Sequence, residues 1–153
     1  MDAALTWTTT GERVRITGRI DENADLGLLA EELPAGDVTL DLGALTRINS
    51  IGVREWMDFV KSLDGRSVRL ERCAPVFVEQ LNAIANFSGG AIVASVLAAY
   101  ECEHDSKVVT LEVTAGDARN GVFPPVPACP VCSRTMLPAF EDELYYRFLR
   151  HTK

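Results

Sequence analysis

The sequence predicts an α/β fold: a mainly parallel sheet with flanking helices, opened by a β-hairpin and followed by a small cysteine-containing appendage. Two observations lead to this prediction. Up to about residue 100, segments with the period-2 pattern of strands alternate with segments that carry apolar residues at helical spacing, and a segment of different texture with three cysteines then follows. With 153 residues, of which 47% are hydrophobic, the chain can build one ordinary core and a small appendage.

The chain opens with a segment that we predict to be a β-hairpin. In residues 13–20, apolar side chains alternate with arginines, so that one side can face a core while the other meets water. Residues 5–10 are rich in threonine and contain Trp7, and both residue types are common in strands. Gly11 and Glu12 separate the two segments as a turn would.

After the hairpin, helical and extended patterns alternate. The helices are predicted over residues 25–33, over residues 51–63, and from residue 75 to near residue 89; the strands are predicted over residues 38–42, 68–70 and 91–100. This alternation predicts a mainly parallel sheet with helices packed against it. The helix over residues 51–63 has the clearest apolar stripe, whose members we expect to face the sheet: Val53, Trp56, Met57 and Val60.

Residues 41–53, with the sequence DLGALTRINSIGV, run from the end of a predicted strand to the start of the helix with this stripe. The segment resembles the signature of STAS domains, the fold of anti-sigma factor antagonists. In that signature a strand ends in Asp-Leu, and a hydrophobic residue then precedes Asp-Ser-x-Gly at the start of a helix. Ser50 falls on the serine that is phosphorylated in the family. The resemblance covers residues 1–98, which we assign to a STAS domain.

The resemblance implies a non-enzymatic regulatory protein in a partner-switching pathway, controlled by phosphorylation of Ser50. Its partner would resemble the ATPase-fold serine kinases that double as anti-sigma factors, and the implied partner-binding residues are Asn49, Ser50, Gly52 and Arg54. Asn49 stands where phosphorylated members have Asp, which favours a second interpretation. In that interpretation the chain is a constitutive STAS-type adaptor or scaffold, and Ser50 only caps the helix. A third, resting on fold analogy, is a separate subunit of an anion-transporter or lipid-transport complex.

The chemistry of the residues around Ser50 fits both of the first two interpretations. A serine just before an amphipathic helix is an ordinary N-cap, whose hydroxyl accepts a backbone N–H. A phosphate at the same place would lie at the positive end of the helix dipole and would add negative charge to a surface that a partner covers. Gly52, which has no side chain, would let a partner approach the helix start.

Residues 99–153 are predicted to form a zinc-ribbon-like extension that ends in a helix over residues 141–149. Cys129 and Cys132 have the Cys-x-x-Cys spacing of a zinc knuckle. A redox role for this pair is the weaker interpretation, because the pair lies in a proline-rich loop rather than at a strand-to-helix junction.

Cys102 and a neighbouring residue would complete a tetrahedral zinc site with the knuckle. His104 is the predicted fourth ligand, and Asp105, three residues after Cys102, is the alternative. In a second interpretation the thiols are merely small core residues. Cys73, at the end of a predicted strand, is expected to be structural.

Composition restricts the function further. The net charge of −7 argues against a nucleic-acid partner, and no apolar run is long enough for a membrane span or a signal peptide. We therefore expect a cytoplasmic protein that binds another protein, whether as a monomer or as a homo-oligomer. An enzyme is not expected, because residues 1–98 contain no histidine and no phosphate-binding glycine motif; a metal hydrolase built on the extension is the remaining enzymatic alternative.

Overall fold

The computed structural model describes residues 3–152 and shows a mixed α/β protein with a mainly parallel sheet. The strands are β1 Thr6–Thr10, β2 Arg13–Ile20, β3 Val38–Ile48, β4 Val68–Glu71, β5 Ile92–Val93, β6 Ser95–Glu101, β7 Val108–Thr114 and β8 Leu137–Pro138. The helices are α1 Leu26–Glu32, α2 Ser50–Ser62, α3 Pro75–Ala83, α4 Ala115–Arg119 and α5 Asp142–Tyr145, followed by a 3-10 helix, Arg147–Arg150.

The main sheet has five strands in the order β1-β2-β3-β4-β5. Strands β1 and β2 form the predicted antiparallel hairpin, and β2 to β5 run parallel. Each parallel step is made through one helix, which is the connection expected from the alternating sequence pattern. The predicted N-terminal hairpin and mainly parallel sheet are therefore confirmed.

Helices α1, α2 and α3 pack together on one face of this sheet. Trp56 of α2 is fully buried and lies against Phe77 of α3, with ring centroids 5.1 Å apart, and its indole N–H donates to the carbonyl of Phe87 at 2.9 Å. Val60 is also buried, and Val53 and Met57 pack against the core from partly buried positions. The predicted stripe on α2 therefore faces the core.

The opposite face of the sheet is polar and carries no helix of this group. Along β2, the residues that point to the helices are buried, while Arg13, Arg15, Thr17 and Arg19 point away. Strand β4 repeats the pattern, with Arg69 pointing away from the core. In the part of the chain that the structure describes, α1, α2 and α3 thus cover one side of the sheet, which fits its alternating sequence.

A second, antiparallel sheet has the strand order β7-β6-β8. Strand β6 also continues the first sheet: the N–H of Cys73 donates to the carbonyl of Ser95 at 3.1 Å, and the N–H of Leu97 donates to the carbonyl of Cys73 at 2.9 Å. The predicted division after residue 98 falls inside this strand. The single strand predicted over residues 91–100 is in fact β5 and β6, separated at Ala94.

The end of the chain packs against α3. The side chain of Asn82 donates to the carbonyl of Tyr145 at 2.9 Å and accepts the N–H of Phe148 at 2.8 Å, and the hydroxyl of Tyr145 donates to the carbonyl of Leu97. The helix predicted over residues 141–149 is instead α5 followed by the 3-10 helix.

No helix within residues 3–152 combines the length and the apolar composition that a bilayer crossing requires.

Candidate functional site

The start of α2 follows directly from the end of β3, at the edge of the sheet where parallel strands end. The helix begins at Ser50, and its N-cap is Asn49, whose side-chain oxygen accepts the N–H of Gly52 at 2.8 Å. The expectation that Ser50 caps the helix is therefore wrong. The cap lies one residue earlier because the asparagine side chain reaches the free N–H groups of the first turn.

Both polar groups of the Asn49 side chain form hydrogen bonds. While its oxygen caps α2, its NH2 group donates to the carboxylate of Glu22 at 2.8 Å. An aspartate could make the first contact but not the second, since a carboxylate donates no hydrogen bond at neutral pH. Glu22 thus gives a physical reason for Asn at the position where the family signature has Asp. The pKa of Glu22 is lowered, first by a backbone N–H and then by the Asn49 amide.

Gly52, predicted to let a partner approach, is buried and has little surface to offer one. A β-carbon on Gly52 would lie 1.9 Å from the carbonyl oxygen of Ile20, far inside contact distance. The glycine is needed because the first turn of α2 packs directly on the end of β2.

Three neighbouring residues of the first turn and a half do face solvent: Ser50, Ile51 and Arg54. Ile51 is 46% exposed, so the surface at the start of α2 includes one large apolar side chain. Of the four predicted partner-binding residues, Ser50 and Arg54 are accessible, Asn49 is half-buried in its own contacts, and Gly52 is inaccessible.

A second candidate site is a cluster of three thiols and one carboxylate, formed by Cys102, Asp105, Cys129 and Cys132. The possible ligand atoms of these residues all lie within 4.8 Å of one another. The sulfurs of Cys102 and Cys132 are 3.5 Å apart, and a carboxylate oxygen of Asp105 is 3.3 Å from the sulfur of Cys129. Ligands about 2.3 Å from a tetrahedral zinc would be about 3.8 Å apart, so the spacing is compatible with a metal site.

The first half of this cluster is the turn between β6 and β7. The N–H of Cys102 donates to the carbonyl of Lys107, and the N–H of Ser106 donates to the carbonyl of Cys102, both at 2.9 Å. Ser106 has a positive φ of 61°. Asp105 lies in this turn, three residues after Cys102, with its side chain towards Cys129.

The second half repeats this backbone pattern. The N–H of Cys129 donates to the carbonyl of Arg134 at 2.7 Å, the N–H of Ser133 donates to the carbonyl of Cys129 at 2.8 Å, and Ser133 has a φ of 65°. Two equivalent turns therefore face each other. Asp105 occupies, in the first, the position that Cys132 holds in the second, and it is the fourth member of the cluster.

His104 is outside the cluster and exposed, so its selection as the preferred fourth ligand is not supported by the geometry. The equivalent turns explain this, because they turn residues 1 and 4 of each tetrapeptide towards the centre. The sequence does contain evidence for Asp105 as the fourth member. Cys129 and Cys132 are three residues apart, and the same spacing counted from Cys102 leads to Asp105.

The thiols of Cys102 and Cys132 have pKa values shifted in opposite directions. Backbone N–H groups of Asp105 and His104 donate to the sulfur of Cys102 and lower the pKa of its thiol. The backbone N–H of Arg134 acts in the same direction on Cys132, but desolvation and the neighbouring thiols and carboxylate outweigh it and raise the pKa to about 11. A cation bound among these groups would favour the thiolate form of each cysteine.

Cys73 has no part in either site. Its thiol is fully buried where β4 meets β6, and burial raises its pKa, as expected for a structural cysteine.

The chain matches no protein-family model, and a search of the curated proteins finds no significant match. The fold and the site define a mixed α/β protein with a cluster of three cysteines and one aspartate near its C-terminal end. Any narrower assignment depends on the chemistry of its own residues.

Proposed function

We propose that this chain is a STAS-like regulatory binding protein, without catalytic activity, that meets its protein partner at the start of α2. The observation that carries the proposal is the exposure of Ser50 at the first position of α2, directly after a parallel strand and beside the exposed Ile51. A partner that covered Ile51 would bury its apolar side chain within a rim of polar ones, as interface cores do.

Phosphorylation of Ser50 would change this surface without unfolding the helix. A phosphate at the first helical position lies at the positive end of the dipole, where free N–H groups point outward. Arg54, four residues after Ser50, is exposed. Residues at this spacing lie on the same face of a helix, so the two side chains belong to one surface. The added charge would oppose a partner that buries Ile51. The matching partner would be an ATPase-fold serine kinase that also acts as an anti-sigma factor.

The hydrogen bond between Asn49 and Glu22 favours the alternative, a constitutive adaptor. It places a carboxylate next to the residue that precedes Ser50, and this carboxylate would repel a phosphate. In this alternative Ser50 is an exposed contact residue. It does not cap α2, because the cap is Asn49.

The test begins with affinity capture of the partner from native cells, with the whole chain as bait, and continues with calorimetry on the purified complex. Ser50→Asp is expected to remain folded and to weaken binding, while Ser50→Ala is expected to bind like the wild type. Ser67→Asp, in an exposed loop before β4, is the matched control for an added charge. Equal affinity of wild type and Ser50→Asp would refute the switch and favour the adaptor.

We further propose that zinc is the ion of the thiol cluster, held by Cys102, Asp105, Cys129 and Cys132. Thiolates and a carboxylate are accepted zinc ligands, and four protein ligands close the site as in structural zinc centres. When bound, the ion would join the β6–β7 turn to the loop over residues 129–132, giving the extension its zinc-ribbon-like character.

Elemental analysis of protein purified without added metal tests this proposal. We expect about one equivalent of zinc in the wild type and a loss of most of it in Cys129→Ser. Cys73→Ser is the matched control, because it removes a buried thiol that lies outside the cluster. Full zinc content in Cys129→Ser, or none in the wild type, would contradict the proposal.

A further inference from the structure

The polar face of the five-stranded sheet is basic, although the chain as a whole has a net charge of −7. It carries six arginines, half of the arginines in the sequence, which we call the basic face: Arg13, Arg15, Arg19, Arg47, Arg69 and Arg72. Among residues 3–152, the carboxylates of Asp21, Asp41 and Glu71 form ion pairs with Arg13, Arg19 and Arg72 of this face. The face thus retains a positive excess.

The centre of the basic face already holds carboxylates. The two terminal nitrogens of Arg13 bridge Glu71 at 2.7 Å and Asp41 at 3.0 Å, and Nε of Arg72 lies 3.5 Å from Asp41. These contacts show that guanidinium groups on this surface can approach carboxylates closely.

Arg15 and Arg69 flank this centre and are exposed. Arg15 stands beside Asp41 in the β2–β3 register, and Arg69 stands beside Thr39 on the other side of β3. Within residues 3–152, neither guanidinium has a hydrogen-bonding or ion-pair partner, because Asp41 and Glu71 are bound by Arg13. They lie two strands apart, which corresponds to about 10 Å across the sheet.

We propose that the basic face binds a carboxylate-rich segment of another protein, with Arg15 and Arg69 as its main contacts. Arginine forks match carboxylates in a bidentate manner, and the basic residues that strands β2, β3 and β4 turn to this face are all arginines. Single-stranded nucleic acid fits less well, since the outward side chains of β2, β3 and β4 include no aromatic residue on which a base could stack. Arg15 and Arg69 point away from the sheet face on which α2 packs, so this proposal does not depend on the function proposed above.

Fluorescence anisotropy with a labelled peptide of alternating glutamate and serine tests the proposal on the full chain. The double substitution Arg15→Ser with Arg69→Ser is expected to weaken binding by about tenfold, because each exposed charge-assisted contact contributes modestly. Arg147→Ser with Arg150→Ser is the matched control: it removes the same charge from the exposed 3-10 helix and should leave affinity nearly unchanged. Circular dichroism confirms that each variant is folded.

Three outcomes would overturn the proposal. The first is an absence of detectable binding by the wild type at low ionic strength. The second is an equal loss of affinity in both double variants, which would mean that only overall charge matters. The third is tighter binding of an oligothymidylate of equal charge than of the peptide, which would assign the face to nucleic acid.

Discussion

The two parts of this molecule, residues 3–98 and residues 99–152, are stabilised by different means. The first part has a layered core in which Trp56 and the strand residues beneath it are fully buried. The second has short elements and leaves many large apolar side chains in solvent: Val108, Val122, Phe123, Val126, Val131, Leu137 and Leu144. Apolar burial is extensive in the first part, whereas the second part buries fewer large side chains and would gain order from a metal ion held by its thiol cluster.

We expect the largest loss of unfolding free energy when the side chain at the centre of the apolar core, Trp56, is truncated. Trp56→Ala should cost about 3–5 kcal/mol of unfolding free energy, because it leaves a cavity and removes the hydrogen bond to Phe87. Urea denaturation followed by circular dichroism measures it. Trp7→Ala, on the edge strand β1, is the matched control and should cost clearly less, since Trp7 is only partly buried. Equal losses would show that the core is not organised around Trp56.

Removal of the proposed zinc ion should destabilise mainly the second part, residues 99–152. Bound zinc is expected to add about 2.7 kcal/mol of stability when its free concentration is about 100 times Kd. After chelation, hydrogen exchange should rise in the β6–β7 turn and over residues 129–136, while β2 and β3 remain protected. Uniform loss of protection along the whole chain would contradict the contrast between the two parts.

A change of the fourth ligand should sharpen the assignment of the cluster. Asp105→Cys places a softer ligand at the position equivalent to Cys132 and should tighten zinc binding by about tenfold or more. His104→Cys, one residue away and outside the cluster, is the control and should leave affinity unchanged. Competition with a chromophoric chelator gives both affinities. Tighter binding in His104→Cys would assign the fourth position to residue 104.

The smallest effect is expected at the helix cap. Asn49→Ala should cost about 0.5–2 kcal/mol, because the N–H of Gly52 loses its partner, and Ser50→Ala should cost less. Thermal unfolding compares the two variants. A larger loss in Ser50→Ala would contradict the assignment of the cap to Asn49.

Asn49→Asp keeps the cap but removes the donor to Glu22. The pKa of Glu22, which is lowered in the folded state, should then rise. A lowered pKa contributes stability above the unfolded value and loses it as pH falls through the folded one, so the variant should lose stability at neutral pH and less in acid. NMR titration measures the shift, and Glu22→Gln should rescue the variant. An unchanged Glu22 pKa would show that the hydrogen bond has no energetic role.

Sequence patterns predicted elements whose cause is local. The alternation of apolar and polar residues over 13–20 and the apolar stripe through Trp56 can both be read from the sequence itself. The structure confirms both. The choice between Asn49 and Ser50 as cap was not predictable in this way. Both residue types cap helices well, and the choice is accompanied by a hydrogen bond to Glu22, 27 residues earlier.

Two further differences between prediction and structure also depend on distant contacts. The burial of Gly52 follows from the carbonyl of Ile20, which no local pattern places there. The fourth member of the cluster was predicted one residue away because a histidine beside cysteines is a common zinc ligand, whereas the turn geometry selects Asp105.

Strand β6 limits how this protein can be cut or recombined. Its first residues pair with the segment after β4, and its last residues lead into the turn that holds Cys102. A chain truncated after residue 98 would keep Ser95 to Ala98 but lose the Tyr145 hydroxyl that donates to Leu97. A fusion or deletion that respects the fold should therefore keep β6 whole. For the same reason the C-terminal part cannot be transplanted as an independent module without taking a strand of the main sheet with it.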